Sequence, residues 1–126
     1  MAKEAHTTLL LVEDEHNLLN LQVELFSKLG FTVLAAGSGD LAIRLYESNK
    51  QAIGLVITDL QMTPVTGEQI IAHIRRQDRE LPIILVSGSF IDEDLHTRSK
   101  EHIYCLKKPF AVTKVMSMIN ELLNRH

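Results

Sequence analysis

The chain contains one cysteine, Cys105, so no disulfide can close within it. A lone thiol of this kind fits a reducing compartment. No apolar stretch approaches the roughly 20 residues that cross a bilayer, and Met1-Ala2-Lys3-Glu4-Ala5-His6 lacks the apolar core of a signal peptide. The expected location is the cytoplasm, with no membrane contact by this domain. Positive charge is not in excess: 13 Lys and Arg against 16 Asp and Glu give a net −3, so nothing predicts the basic face that direct nucleic-acid binding requires. A Walker phosphate loop, internal repeats, linkers and low-complexity tracts are all missing. The six histidines show no ligand spacing and read as surface residues, with His16, near an acidic pair, the one to watch. The 126 residues are the size of one domain and can bury a core without staples.

Four apolar runs end on residues that carry chemistry. Leu9 to Val12 closes on Glu13-Asp14, Leu55 to Thr58 on Asp59, Pro82 to Val86 on Ser87, and Ile103 to Leu106 on Lys107, Lys108 and Pro109. Apolar and β-branched residues fall on both faces of each run, the pattern of buried parallel strands. Phe31 to Ala36 reads as a further strand. Helical spacing joins Leu18, Leu21, Leu25, Phe26 and Leu29, with Gly30 as the stop. It recurs at Leu41, Ala42, Leu45 and Tyr46, ending near Asn49, then at Ile70, Ile71 and Ile74, and from Val112 through Val115, Met116 and Ile119 to Leu122 and Leu123. The polar stretch Ile91 to Glu101 is expected to supply the fourth of five helices. Five strand–helix units predict a single α/β domain, a doubly wound parallel sheet with helices on both faces.

In such a sheet the ligand crevice lies beyond the carboxyl ends of the strands, where Glu13, Asp14, Asp59, Ser87 and Lys108 would meet. Three carboxylates repel one another unless a cation or proton neutralises them. An all-oxygen set suits a hard cation such as Mg2+, and a lysine nearby suits a phosphoryl group gathering negative charge. Each residue also has a plainer reading. Asp59 could be an N-cap or loop acid and Asp14 could cap the first helix. Ser87-Gly88 could be a turn, Lys107-Lys108 a solvated pair, and Cys105 a small buried hydrophobe. Gly37-Ser38-Gly39-Asp40-Leu41-Ala42 matches a dinucleotide fingerprint, with Asp59 about 20 residues on. It follows the second strand rather than the first, so a turn before a helix is the better account. An aspartyl phosphatase of the haloacid dehalogenase type would need an acid two residues after Asp59, where Gln61 stands.

At these positions the chain resembles the response-regulator receiver domain, the CheY-like family. The resemblance rests on Leu9-Leu10-Leu11-Val12-Glu13-Asp14-Glu15, on Asp59-Leu60-Gln61-Met62 with Gly67 eight residues past Asp59, on Pro82 to Gly88, and on Lys108-Pro109-Phe110. It covers essentially the whole chain, 1–126, and leaves no output domain within it. The resemblance implies strand order 2-1-3-4-5 and a signalling domain, not an enzyme, that assists its own aspartyl phosphorylation and dephosphorylation. Asp59 would accept phosphate from a phosphohistidine of a sensor histidine kinase or phosphotransfer protein. Asp14, Asp59 and the backbone carbonyl of Gln61 would bind Mg2+, with Mn2+ as a substitute, and Glu13 would act through the metal's waters. Ser87 and Lys108 would each take a phosphoryl oxygen, and Pro109 would follow a cis peptide bond. Gln61 and Ser89 occupy positions that tune dephosphorylation. A downstream target would read the face formed by the fourth helix, fifth strand and last helix. A stand-alone regulator and the receiver of a hybrid sensor kinase both fit, and an unphosphorylated interaction module is the alternative.

Three departures from the family are visible. The usual aromatic residue three before the lysine is Cys105, and Tyr104 beside it should point to the opposite face. Ser99-Lys100-Glu101-His102 stands where Gly-Ala commonly precedes the fifth strand. Met62-Thr63-Pro64 places the loop proline one residue late.

Overall fold

The structure, a computed structural model, describes residues 7–88 and 102–124. Five strands form one parallel sheet: β1 (Thr8–Val12), β2 (Thr32–Ala36), β3 (Ile53–Asp59), β4 (Ile83–Ser87) and β5 (Ile103–Lys107), in the order β2-β1-β3-β4-β5. Four helices are described: α1 (His16–Lys28), α2 (Gly39–Asn49), α3 (Gly67–Arg75) and α4 (Val112–Asn124). The helix expected over Ile91 to Glu101 lies outside the described residues, so the count of five is met only to four. No helix among the described residues is long and apolar enough to cross a membrane.

Strand parity sorts the core into two layers. Leu10, Val12, Val56, Ile83, Leu85 and Ile103 face one side, where Ala42 and Tyr46 of α2 and Ile70, Ile71 and Ile74 of α3 cover them. Their alternate neighbours Leu9, Leu11, Leu55, Ile57, Ile84, Val86 and Leu106 face the other, under Leu19 and Phe26 of α1 and Val115, Ile119 and Leu122 of α4. Burying each such side chain contributes roughly 1.5–3 kcal/mol, which is why both faces must be apolar and why helices must lie on both.

Local signals start and stop the helices. Glu15, not Asp14, is the N-cap of α1: its carboxylate accepts from the Asn17 and Leu18 amides at 2.8 and 3.4 Å. Asp14 is thereby left for other work. Ser38 caps α2 by accepting from the Leu41 amide at 3.2 Å, and Thr66 with Gln69 forms a reciprocal capping box on α3. Gly30, at φ 104°, ends α1 in the left-handed conformation that glycine adopts freely. Glu47 of α2 is tied to His73, Gln77 and Lys50, and these bonds hold its carboxyl at about 2, below the usual 4.5. The largest cause is the Gln77 amide, followed by His73.

Two departures from the expected pattern have physical causes. The helical stripe on α1 does not bury all its leucines, since Leu21 is 64 % exposed. Leu19, Val23 and Phe26 meet the sheet instead, leaving Leu18, Leu21 and Leu25 as a second stripe. The second departure lies before β5. His102 sits at φ 57°, a left-handed conformation costing a side chain about 1–2 kcal/mol. Its carbonyl accepts from the Ile83 amide at 3.0 Å and from Arg75 at 3.3 Å, which fixes the backbone there. We therefore expect His102→Gly to stabilise the fold by about 1 kcal/mol, read as a higher melting temperature. A fall would mean that the histidine side chain contributes more than its backbone costs.

Candidate functional site

Backbone bonds bring the strand ends into register. The Glu13 amide donates to the Ala36 carbonyl at 3.0 Å, Leu60 to Val86 at 2.8 Å, and Lys108 to Ser87 at 3.0 Å. Asp59 closes β3 beside Val86, and Ser87 closes β4 beside Lys107. Four segments far apart in sequence, carrying Glu13-Asp14, Asp59, Ser87 and Lys108, thus meet at one edge of the sheet.

Their side chains form one charged cluster. Lys108 Nζ donates to Glu13 Oε1 at 2.9 Å and to Asp59 Oδ2 at 3.1 Å. Asp59 Oδ1 accepts from the Gln61 amide at 3.2 Å, and Glu13 Oε2 accepts from the Glu15 amide at 3.0 Å. The Ser87 hydroxyl donates to Gln61 Oε1 at 3.0 Å. Glu13, Asp59 and Ser87 are buried, whereas Asp14 is exposed. Burial acts against the Lys108 ammonium, but the hydrogen bonds and charges of Glu13 and Asp59 outweigh it and raise its pKa above the usual 10.5.

One carboxylate oxygen from each of Glu13, Asp14 and Asp59 lies within 4.8 Å of the others. Three formal negative charges face one ammonium, leaving two uncompensated. An all-oxygen set with that deficit fits a hard divalent cation, so the cluster could hold a metal ion.

Glycines set the walls of the site. A Cβ on Gly67 would lie 2.5 Å from the Asp59 carbonyl oxygen and 2.8 Å from Leu60 Cα, both backbone atoms that cannot yield. The start of α3 therefore presses directly on the strand end that carries Asp59. Gly39 serves a similar close approach, since its Cβ would meet Val65 at 2.5 Å. Close packing against Val65 of this same chain thus accounts for the glycine at 39.

Asp59 caps no helix, because Thr66 performs that role for α3. Lys107 is exposed while Lys108 is engaged, so the two are not a solvated pair. The Lys108–Pro109 peptide is cis, as is Thr63–Pro64. Cys105 packs on the α2–α3 side and Tyr104 on the α1–α4 side, so Tyr104 does not replace the aromatic ring missing at 105. His16 opens α1 near Gly37. Ser89 lies outside the described residues.

One feature escaped the sequence reading. Leu18, Leu21 and Leu25 of α1, with Pro109, Phe110 and Val112, line an open apolar cavity of about 550 Å³. Gln22, Lys108 and Phe110 line both it and the small pocket over Asp59. The available signal was the leucine count of α1, which exceeds what one core-facing stripe can bury.

The fold and the site together are a parallel five-stranded sheet with an acidic cluster and a lysine at its carboxyl edge. A family model described as the response regulator receiver domain matches residues 9–120, and the chain belongs to that family. It is 29 % identical over 127 residues to the response regulator SaeR of Staphylococcus aureus, covering 94 % of this chain and 51 % of SaeR. The chain thus spans about half the length of the curated relatives it matches. A response regulator receiver domain protein from Clostridium thermocellum superposes with a TM-score of 0.85 at 27 % identity, covering 94 % of this chain and 95 % of that one. The response regulator TrrA of Thermotoga maritima, solved in complex with Mg2+ and BeF, gives a TM-score of 0.78 at 26 % identity over 92 % and 98 % of the two chains.

Proposed function

We propose that the domain is the phosphoacceptor of a two-component phosphorelay, taking a phosphoryl group from a kinase or phosphotransfer-protein phosphohistidine onto Asp59. The observation that carries this reading is the Lys108 ammonium bridging Glu13 and Asp59 at 2.9 and 3.1 Å, with the Asp14 carboxylate beside them. An Asp59 carboxylate oxygen attacks phosphorus, the P–N bond breaks, and its electron pair passes to the imidazole nitrogen, which takes a proton. Lys108 exchanges a carboxylate for a phosphoryl oxygen, and the Ser87 hydroxyl donates to another. Both act by position and charge, as phosphoryl transfer requires. Mg2+, which Glu13, Asp14, Asp59 and the Gln61 carbonyl would hold, supplies neutralisation of the phosphoryl oxygens. Intact-mass spectrometry after incubation with acetyl phosphate tests the reading: one Mg2+-dependent phosphate is expected. No gain by the folded protein would leave a phosphate-independent interaction module.

The exposed apolar cavity suits docking of the donor. Large exposed apolar patches mark interaction surfaces, and this one opens beside Lys108 and shares walls with the pocket over Asp59. A helix carrying the phosphohistidine would cover Leu21 while presenting its ring to Asp59. We expect Leu21→Glu to slow transfer from a phosphorylated kinase at least tenfold and to leave labelling by acetyl phosphate unchanged. Equal loss with both donors would mean a damaged site rather than a lost contact. A downstream target would read the face formed by β5, α4 and the helix expected over Ile91 to Glu101, which lies outside the described residues, and with Cys105 at the aromatic position the relay to that face is weaker than a ring would make it.

A further inference from the structure

The Ser87 hydroxyl is already engaged before any phosphate arrives. It donates to the Gln61 side-chain oxygen at 3.0 Å and is fully buried, while Gln61 itself is exposed. A serine hydroxyl carries one proton and donates one strong hydrogen bond at a time. The bond to Gln61 and a bond to a phosphoryl oxygen are therefore alternatives. We infer that the Gln61 side chain restrains the Ser87 hydroxyl in the resting state and must release it before Ser87 can bind a phosphoryl group on Asp59. The inference rests on the receiver reading and adds a positioning residue to it.

The geometry makes Gln61 the hub of both halves of the site. Its backbone amide donates to Asp59 Oδ1 at 3.2 Å while its side chain holds Ser87. Displacement at Asp59 is therefore felt by the same residue that holds the hydroxyl. On release the Gln61 amide returns to water, so the restraint amounts to about one net hydrogen bond, a factor of roughly twofold to tenfold in an equilibrium constant. A substitution at 61 removes the side-chain bond without touching the backbone amide or carbonyl.

Four proteins test this: the unchanged chain, Gln61→Met, Ser87→Ala and the double variant. Methionine keeps the length of the side chain and cannot hold the hydroxyl. The measurement is the apparent affinity for beryllofluoride with Mg2+, followed by amide NMR shifts of Gly88 and Leu60. Gln61→Met should tighten binding about twofold to tenfold, and the same substitution made in Ser87→Ala should have no effect, because no hydroxyl is left to release. Weaker or equal binding by Gln61→Met, or the same gain in both backgrounds, overturns the inference. Failure of the unchanged chain to bind beryllofluoride removes the receiver reading and the restraint with it.

Discussion

Asp59→Asn is expected to gain no phosphate from acetyl phosphate, with or without Mg2+, where the unchanged chain gains one. The amide is close in shape to the carboxylate, so the fold survives. Its nitrogen cannot attack phosphorus, and its oxygen carries too little charge to do so. Lys108 keeps Glu13 Oε1 at 2.9 Å and retains an oxygen partner at 59, so thermal stability should change little. The substitution also takes one formal charge from the three-carboxylate cluster, so the rise in melting temperature on adding Mg2+ should shrink. Intact-mass spectra and melts on the two proteins check both statements. A phosphate that persists in Asp59→Asn would place the acceptor elsewhere.

Lys108→Met should have the larger effect on stability. The ammonium is the partner of two carboxylates whose side chains are 4 % and 9 % exposed, and its removal leaves them facing each other unpaired. Breaking a fully buried pair costs about 3–5 kcal/mol. Lys108 keeps 24 % exposure, so water screens part of that, and a loss of roughly 1–3 kcal/mol is expected. Added Mg2+ should restore much of it, since a cation at 100 times its dissociation constant stabilises by about 2.7 kcal/mol. The pH dependence has a definite sign. The folded-state pKa of Lys108 is raised above 10.5, so its contribution is fully present below that value and is lost as pH climbs through the folded pKa. Stability of the unchanged chain should fall across that alkaline window by more than that of Lys108→Met. Parallel curves for the two proteins would contradict the assignment.

The meeting of Glu13, Asp59 and Ser87 was legible because three strands run into a residue that does not belong in a core. Val12 to Glu13, Thr58 to Asp59 and Val86 to Ser87 each mark where a parallel strand leaves the sheet. The opposite facing of Tyr104 and Cys105 also followed from strand parity, and they do pack on different sides. The capping of α1 was less legible. Asp14 and Glu15 can both accept amide bonds, and which one does depends on the angle at which the chain leaves β1. The outward stripe at Leu21 was hidden for a different reason: spacing says which residues share a helix face, not which face meets the sheet. The bonds from Glu47 to His73 and Gln77 cross 26 and 30 residues, and no local pattern announces a pair that only packing creates.

The close fit of Gly67 has a consequence for the segment it terminates. The Gly67 amide donates to the Leu60 carbonyl at 3.0 Å, so residues 61–66 leave and rejoin the scaffold at nearly one point. Such a loop is a cassette with a clasp at its base, pinned from within by Met62 in the core and by Thr66 at the cap of α3. Gln61, Thr63 and Pro64 are exposed between those fixed points, so a change in the Gln61 side chain alters what Ser87 meets from that side and leaves the sheet untouched.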